Sequence, residues 1–78
     1  MEAREMEPNY VNSRIGEKIK DLRNKNGRTQ QELADRAELT KGYISQLERG
    51  QVAPSVVTLL DLIECLGTKP SEFFKETE

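Results

Sequence analysis

The residues that could take part in recognition lie on the outer face of a short helix predicted within residues 29–50. They are Lys41, Gly42, Ser45 and Gln46. A Lys ammonium can donate to O6 and N7 of guanine, and a Gln amide can pair with two edge atoms of adenine. Gly42 has no side chain with which to form a hydrogen bond. The chemistry that these residues offer is therefore recognition by hydrogen bonding.

Catalytic and metal chemistry have few candidate residues. The 78 residues include no His and a single Cys, Cys65, which cannot form an internal disulfide and indicates a reducing, cytoplasmic setting. Without paired carboxylates in an evident cleft or a Gly-rich phosphate loop, we expect no enzyme activity, no metal site and no cofactor. No signal peptide is evident, and the longest apolar run, VVTLL, is too short to cross a membrane.

Basic residues concentrate in the middle of the chain. Residues 14–51 carry nine Lys and Arg against six Asp and Glu, whereas residues 52–78 carry two against five. A local positive field can guide a polyanion even though the whole chain has a net charge of −2. A solvated helix surface also explains such a charge run, and is the simpler interpretation of the charges taken alone.

Periodicity and capping signals predict the first three helices. Helix one is capped by Asn12 or Ser13 and ends near Gly27. Thr29-Gln-Gln-Glu32 is a capping box that opens helix two, which runs to about Ala37. Thr40 caps helix three, which ends at Gly50.

Two further helices follow, and no strand is predicted. Ser55 caps helix four, which ends at Gly67, and Pro70 occupies the first position of a short helix five. The inner stripe of helix four is predicted to contain Val56, Leu59, Leu60, Ile63 and Leu66. The expected division is a flexible arm over residues 1–11, an all-α five-helix domain over residues 12–75, and a tail over residues 76–78.

Helices two and three form a closely packed pair. Neither is long enough to be stable alone in water. The small Ala34 and Ala37 allow close approach, and Thr40 starts the second helix sharply. The shared core is predicted to consist of Leu33, Leu39, Ile44 and Leu47. This pattern is typical of a helix-turn-helix, in which the first helix braces a second helix that enters the major groove of DNA.

Residues 15–74 closely resemble the helix-turn-helix domain of the phage repressor/Cro-type (XRE-type) transcription regulators. The matching segments are IGEKIKDLRNKNG, TQQELADRA, YISQLERG, PSVVTLLDLIECLG and PSEFF. The resemblance implies a lambda-repressor-like fold and sequence-specific binding of double-stranded DNA. It implies further a homodimer, at least on DNA, with a palindromic operator and half-sites about 10 base pairs apart.

The resemblance also implies roles for individual residues. Gln30 would touch a phosphate, Gln46 would read a base or grip the backbone, and Arg23 would pair with Glu48 between helices one and three. The DNA-contact positions implied in this way are Thr29, Gln30, Gln31, Thr40, Lys41, Gly42, Tyr43, Ser45, Gln46 and Arg49. Among these, Lys41, Gly42 and Ser45 occupy base-reading positions, and Tyr43 and Arg49 are expected at phosphates.

Two residues depart from the family pattern. Glu38 stands where the family usually has Gly, and a left-handed backbone there costs a non-Gly residue about 1–2 kcal/mol. Arg28 stands where an apolar residue commonly packs, so we expect its stem to cover the core edge and its head to meet solvent or phosphate.

Several alternatives stay open at this point. The chain can be a protein-interaction module such as an antitoxin, which the negative net charge and Glu38 favour slightly. It can also be the DNA-binding domain of a longer, ligand-sensing regulator, or a complete small one. Phe73 and Phe74 are predicted to close the core, or else one of them joins Val52 or Val57 in a dimer contact.

Overall fold

The structure is a computed structural model that describes residues 8–75. Within that range the chain forms five helices and no strand, which confirms the predicted all-α class. The helices are α1 (Pro8–Lys25), α2 (Gln30–Ala37), α3 (Lys41–Glu48), α4 (Val56–Cys65) and α5 (Pro70–Phe73). Both α1 and α2 pack against α3, and α4 contacts α2 and α5. Helix α3, the helix predicted over about residues 41–49 to enter the major groove, is therefore supported from two sides.

Side-chain caps define where the central helices begin. At α2 the Thr29 hydroxyl accepts from the Glu32 N–H at 3.1 Å, and the Thr29 N–H donates to the Glu32 carboxylate at 2.8 Å. This is the predicted capping box. The hydroxyls of Thr40 and Ser55 cap α3 and α4, each 3.1 Å from the backbone nitrogen three residues further along the chain. Capping chemistry is local, so it could be predicted from the sequence.

The start of α1 differs from the prediction. The expected caps, Asn12 and Ser13, both lie inside the helix, and residues 8–11 are helical rather than part of a flexible arm. A proline is compatible with a first helical turn, because the N–H that it lacks would have no intrahelical partner there. The rest of the predicted arm, residues 1–7, and the predicted tail, residues 76–78, lie outside the described residues. The division into arm, domain and tail therefore stays a prediction.

A single apolar cluster joins all five helices. Its fully buried members are Ile19, Leu33, Ala34, Ile44, Leu47, Leu62, Ile63, Leu66 and Phe73. The four residues predicted for the shared core of α2 and α3 belong to this cluster or, in the case of Leu39, pack against it half-buried. Burial of this cluster holds the short α2 and α3 together, since neither has enough internal hydrogen bonds to persist alone.

The buried face of α4 was predicted incorrectly in part. Val56 is 74% exposed and Leu60 is 44% exposed, whereas the unpredicted Leu62 is fully buried beside Ile63 and Leu66. The apolar run at the start of this helix contains several stripes with helical spacing. Contacts with α2 and α5 decide which stripe is buried, and those contacts are not visible in the local pattern.

The two phenylalanines at the end of α5 have different environments. Phe73 is buried and closes the core, as predicted. Phe74 packs edge to face against it, with ring centroids 5.0 Å apart, but remains 40% exposed. Of the two predicted alternatives, closure of the core by both rings is therefore wrong for Phe74, and a dimer contact of one ring with Val52 or Val57 stays a prediction.

Candidate nucleic-acid interface

The turn between α2 and α3 contains a left-handed residue. Glu38 has φ 59° and ψ 41°, and its N–H donates to the carbonyl oxygens of Ala34 and Asp35. The Leu39 N–H also donates to the Ala34 oxygen, at 2.8 Å. The chain thus accepts a left-handed conformation at a non-Gly residue in order to redirect the backbone into α3. Glu38, which stands where the family usually has Gly, therefore adopts the left-handed backbone that glycine favours.

One face of α3 is directed outward. At about 100° per residue, positions 41, 42, 45 and 46 of α3 and position 49, the residue that caps its C-terminal end, fall within an arc of about 140°. Lys41, Gly42, Gln46 and Arg49 are exposed on this arc, and Ser45 is partly exposed. The opposite side is buried through Ile44 and Leu47. We call these five outward positions the α3 outer face.

The α3 outer face carries positive charge only. Lys41 and Arg49 are its charged residues, and both are exposed. The acidic residue of the same helix, Glu48, points to the interior and is paired with Arg23. A polar surface with two cations and no carboxylate is complementary to a phosphate backbone and to base acceptors.

The remaining predicted contact residues flank this face. Thr29 and Thr40 are exposed, but their hydroxyls already act as caps. Gln31 is exposed and donates to the Asp35 carboxylate at 2.8 Å. Tyr43 is half-buried and packs against the core. Each of these DNA contacts remains a prediction, and each would form beside an existing intramolecular interaction.

The Arg23–Glu48 ion pair that the resemblance implies is present. Arg23 Nε donates to Glu48 Oε2 at 2.6 Å and Arg23 Nη2 donates to Glu48 Oε1 at 3.0 Å, so the pair is bidentate and links α1 to α3. The hydrogen bonds that Arg23 donates to Glu48 raise the pKa of Arg23, with the Coulombic attraction acting in the same direction and burial opposing both. The guanidinium therefore stays charged.

Two further residues join this pair in ways that the sequence did not predict. Gln30 Nε2 donates to Glu48 Oε1 at 2.9 Å, which connects the first residue of α2 to the last residue of α3. Arg23 Nη1 donates to the Arg28 carbonyl oxygen at 2.8 Å. Because Gln30 and Glu48 lie 18 residues apart in the chain, no local sequence pattern predicts the contact between them.

The Arg28 side chain is used differently from the prediction. Its head donates from Nη1 to the Cys65 carbonyl oxygen at 2.7 Å, near the end of α4. The prediction that this head meets solvent or phosphate does not include this bond. Carbonyl groups at the last turn of a helix lack intrahelical donors, and a cation there satisfies one of them.

Residues 8–75 contain neither a candidate membrane span nor a candidate metal site. No helix in this range is both long and apolar enough to span a bilayer. The same residues contain no group of three or more Cys, Asp and Glu side chains arranged to hold a metal ion.

The fold and the α3 outer face define a helix-turn-helix protein, and sequence comparison identifies the family. The profile of the family HTH_3, described as Helix-turn-helix, matches residues 19–73. The chain belongs to this family of XRE-type helix-turn-helix transcriptional regulators, as the sequence resemblance indicated.

Individual relatives agree with this assignment. The chain is 36% identical over 64 residues to the uncharacterized HTH-type transcriptional regulator y4dJ of Sinorhizobium fredii, covering 82% of this chain and 83% of that protein. It is 35% identical over 63 residues to the HTH-type transcriptional regulator PuuR of Escherichia coli. That match covers 81% of this chain but only 34% of PuuR, so the chain spans about a third of this relative.

A solved structure provides a comparison with DNA present. The restriction-modification controller protein C.Esp1396I, solved as a tetramer in complex with its natural 35 base-pair operator, superposes with a TM-score of 0.80 at 28% identity. The similarity covers 86% of this chain and 88% of that one.

Proposed function

We propose that this sequence-specific, DNA-binding transcriptional regulator acts as a homodimer on a palindromic operator, with α3 of each copy in the major groove. The observation that carries the proposal is the α3 outer face, where Lys41 and Arg49 are exposed with no carboxylate among the outward positions. The family consists of transcriptional regulators, and no residue is assigned a catalytic role. A cytoplasmic location belongs to the same proposal.

Within this proposal, direct base contacts come from the first two turns of α3. Lys41 donates to guanine, Gln46 pairs with adenine or grips the backbone, and Ser45 contributes a hydroxyl. Gly42 allows the backbone to approach the groove closely, because it has no side chain and nothing in the protein lies within 4 Å of the position that a Cβ would occupy.

Contacts with phosphates come from the edges of the motif. Arg49 and Tyr43 are proposed to address the backbone from α3, and Gln30 and Gln31 from the start of α2. The N-terminal N–H groups of α2 and α3 support the same role, since a helix N-terminus attracts anions. The proposed contacts of Thr29 and Thr40 use these helix starts.

The dimer is supported by an exposed apolar surface on α4. Val56 and Val57 are 74% and 70% exposed, and Leu60 is 44% exposed. We call these three residues the α4 apolar face. Residues 50–60 contain no charged side chain, in a chain of which 33% is charged. A two-fold interface brings each surface against its own copy, so a charged residue there would meet the same charge.

The comparison with a known operator complex also supports multimeric binding. C.Esp1396I, of similar fold, binds its operator as a tetramer. One recognition helix per subunit on successive major grooves predicts half-sites about 10 base pairs apart.

Selection of duplexes from a random pool tests the proposed function. We expect enrichment of a two-fold symmetric site, with affinity that falls steeply as salt rises, because neutralised phosphates release counterions. Weak binding without enrichment of any sequence would contradict the proposal that this chain acts by itself as a sequence-specific regulator. It would favour the alternatives, a protein-interaction module such as an antitoxin or one domain of a longer ligand-sensing regulator.

A further inference from the structure

The carboxylate of Glu48 has more partners than an ion pair requires. Its Oε2 accepts from Arg23 Nε, and its Oε1 accepts from both Arg23 Nη2 and Gln30 Nε2. The Glu48 side chain is only 3% exposed, so little of it remains for water. A single carboxylate on α3 therefore binds α1 and α2 at the same time.

The contact with Glu48 fixes the orientation of the Gln30 amide. An ionised carboxylate is an acceptor only, so the NH₂ end of the amide has to face it and not the carbonyl end. The NH₂ group has two hydrogens, and the 2.9 Å bond to Glu48 uses one of them. The second hydrogen then has a fixed direction in the plane of the amide.

The combined charge of Arg23, Glu48 and Gln30 is compatible with a nearby phosphate. An isolated carboxylate at the start of α2 would repel DNA, because both are negative. The bidentate bond from Arg23 balances the charge of Glu48, and this guanidinium stays protonated. Gln30 can therefore be held by a carboxylate close to DNA without a net negative charge at that position.

We propose that Glu48 is a positioning residue for DNA binding: it orients Gln30 so that the second Nε2 hydrogen is available to an operator phosphate. This inference rests on the proposed function. Ordering a flexible side chain on binding weakens affinity, and an amide that is already held avoids much of that loss. Pre-ordering of this one side chain is expected to strengthen operator binding about threefold to tenfold.

Nuclear magnetic resonance of the wild-type protein tests the inference directly. The side-chain NH₂ signals of Gln30 are compared with those of Gln46 and Gln51, which are exposed, and with Gln31, whose carboxylate partner is exposed. In the free protein we expect one Gln30 hydrogen to be protected from exchange with water and the Gln30 amide to be rigid. Addition of the selected duplex should shift the second hydrogen and leave the first one bonded.

Two results would overturn the inference. One is a Gln30 amide as mobile as that of Gln46 in the free protein, and the other is loss of the protected hydrogen when the duplex binds. If the wild type selects no duplex at all, the proposed function fails instead, whatever the state of the free amide. The two failures are therefore distinguishable.

Substitutions provide a second readout in operator affinity. Gln30→Met keeps the length of the side chain and removes its polar atoms. Gln31→Met on the same helix is the control for coupling to Glu48: Gln31 bonds to Asp35, so Gln31→Met should leave the factor lost through Glu48→Gln unchanged, even where it lowers operator affinity itself. Glu48→Gln should weaken operator binding by a smaller factor in the Gln30→Met background than in the wild type. Equal factors in the two backgrounds would mean that the Gln30–Glu48 bond is structural only. If Glu48→Gln does not fold, the resonance measurement decides.

Discussion

Gly16 on α1 lies directly against the carbonyl oxygen of Leu47 on α3. An added Cβ at Gly16 would overlap with that oxygen and would also lie 2.9 Å from the Glu48 carbonyl oxygen. Backbone atoms cannot rotate away as a flexible side chain can. The close crossing of α1 and α3 therefore depends on a hydrogen atom at this position, and it fixes the end of α3 that carries Glu48.

Gly16→Ala should lower the free energy of unfolding by about 1–3 kcal/mol, because the helices must move apart to accept the methyl group. Gly42→Ala on α3 is the matched control, since nothing lies within 4 Å of its added Cβ. At position 42, the higher helix propensity of Ala compared with Gly should raise the free energy of unfolding by up to about 1 kcal/mol. Urea denaturation of both variants measures the difference, and equal effects would contradict the close crossing.

Glu38→Gly should stabilise the protein by up to about 1 kcal/mol, because it removes the strain of a left-handed non-Gly residue while adding some flexibility to the unfolded chain. The φ of 59° at Glu38 is the basis for this expectation. Glu38→Ala is the control, because it removes the carboxylate and keeps the strained backbone. Thermal unfolding of the three proteins separates the two effects. If the unfolding temperature of Glu38→Ala rose as much as that of Glu38→Gly, removal of the carboxylate, and not relief of backbone strain, would be the cause.

Removal of one partner from the Arg23–Glu48 pair should be strongly destabilising. Arg23→Met leaves the Glu48 carboxylate buried without its cation, which is expected to cost about 3–5 kcal/mol. A core of this size supports only a few kcal/mol of net stability, so much of the variant should be unfolded.

The double variant Arg23→Met/Glu48→Met should recover most of this stability, since it buries no unpaired charge. Denaturant titration of the single and double variants checks both expectations. A single variant that unfolds like the wild type would show that the pair contributes little to the fold.

Val57→Asp should disrupt the proposed dimer without unfolding the monomer. Val57 is 70% exposed, so a carboxylate there remains hydrated in the monomer. In the proposed dimer, the same carboxylate would face its own copy across a two-fold axis. Ser71→Asp places the same charge on the exposed surface of α5 as a control. Sedimentation of the protein with operator DNA should show loss of the two-subunit complex for Val57→Asp only. An unchanged complex would assign the dimer contact to another surface.

Local signals explain which parts of the fold could be predicted. The caps at Thr29, Thr40 and Ser55 depend on residues within one helical turn, and all three were predicted correctly. The buried face of α4 was not, because Val56 and Leu60 fit a helical stripe as well as the residues that are actually buried.

The candidate site shows the same division. The outward direction of Lys41 and Gln46 follows from the burial of Ile44 and Leu47 on the same helix, so periodicity is sufficient to predict it. The partner of Gln30 is 18 residues away on another helix, and that of Arg28 is 37 residues away. The closeness of Gly16 to Leu47 likewise depends on the path of α3, which no short pattern in α1 reports.

Duplex selection with wild type and Lys41→Ala/Gln46→Ala in parallel tests whether the α3 outer face reads base pairs. Both side chains are exposed, so the double variant should fold normally. We predict a symmetric consensus for the wild type, and for the variant a loss of base preference at matching positions of both half-sites, with weak non-specific binding retained. Enrichment of the same consensus by both proteins would contradict the claim that these two side chains read the operator.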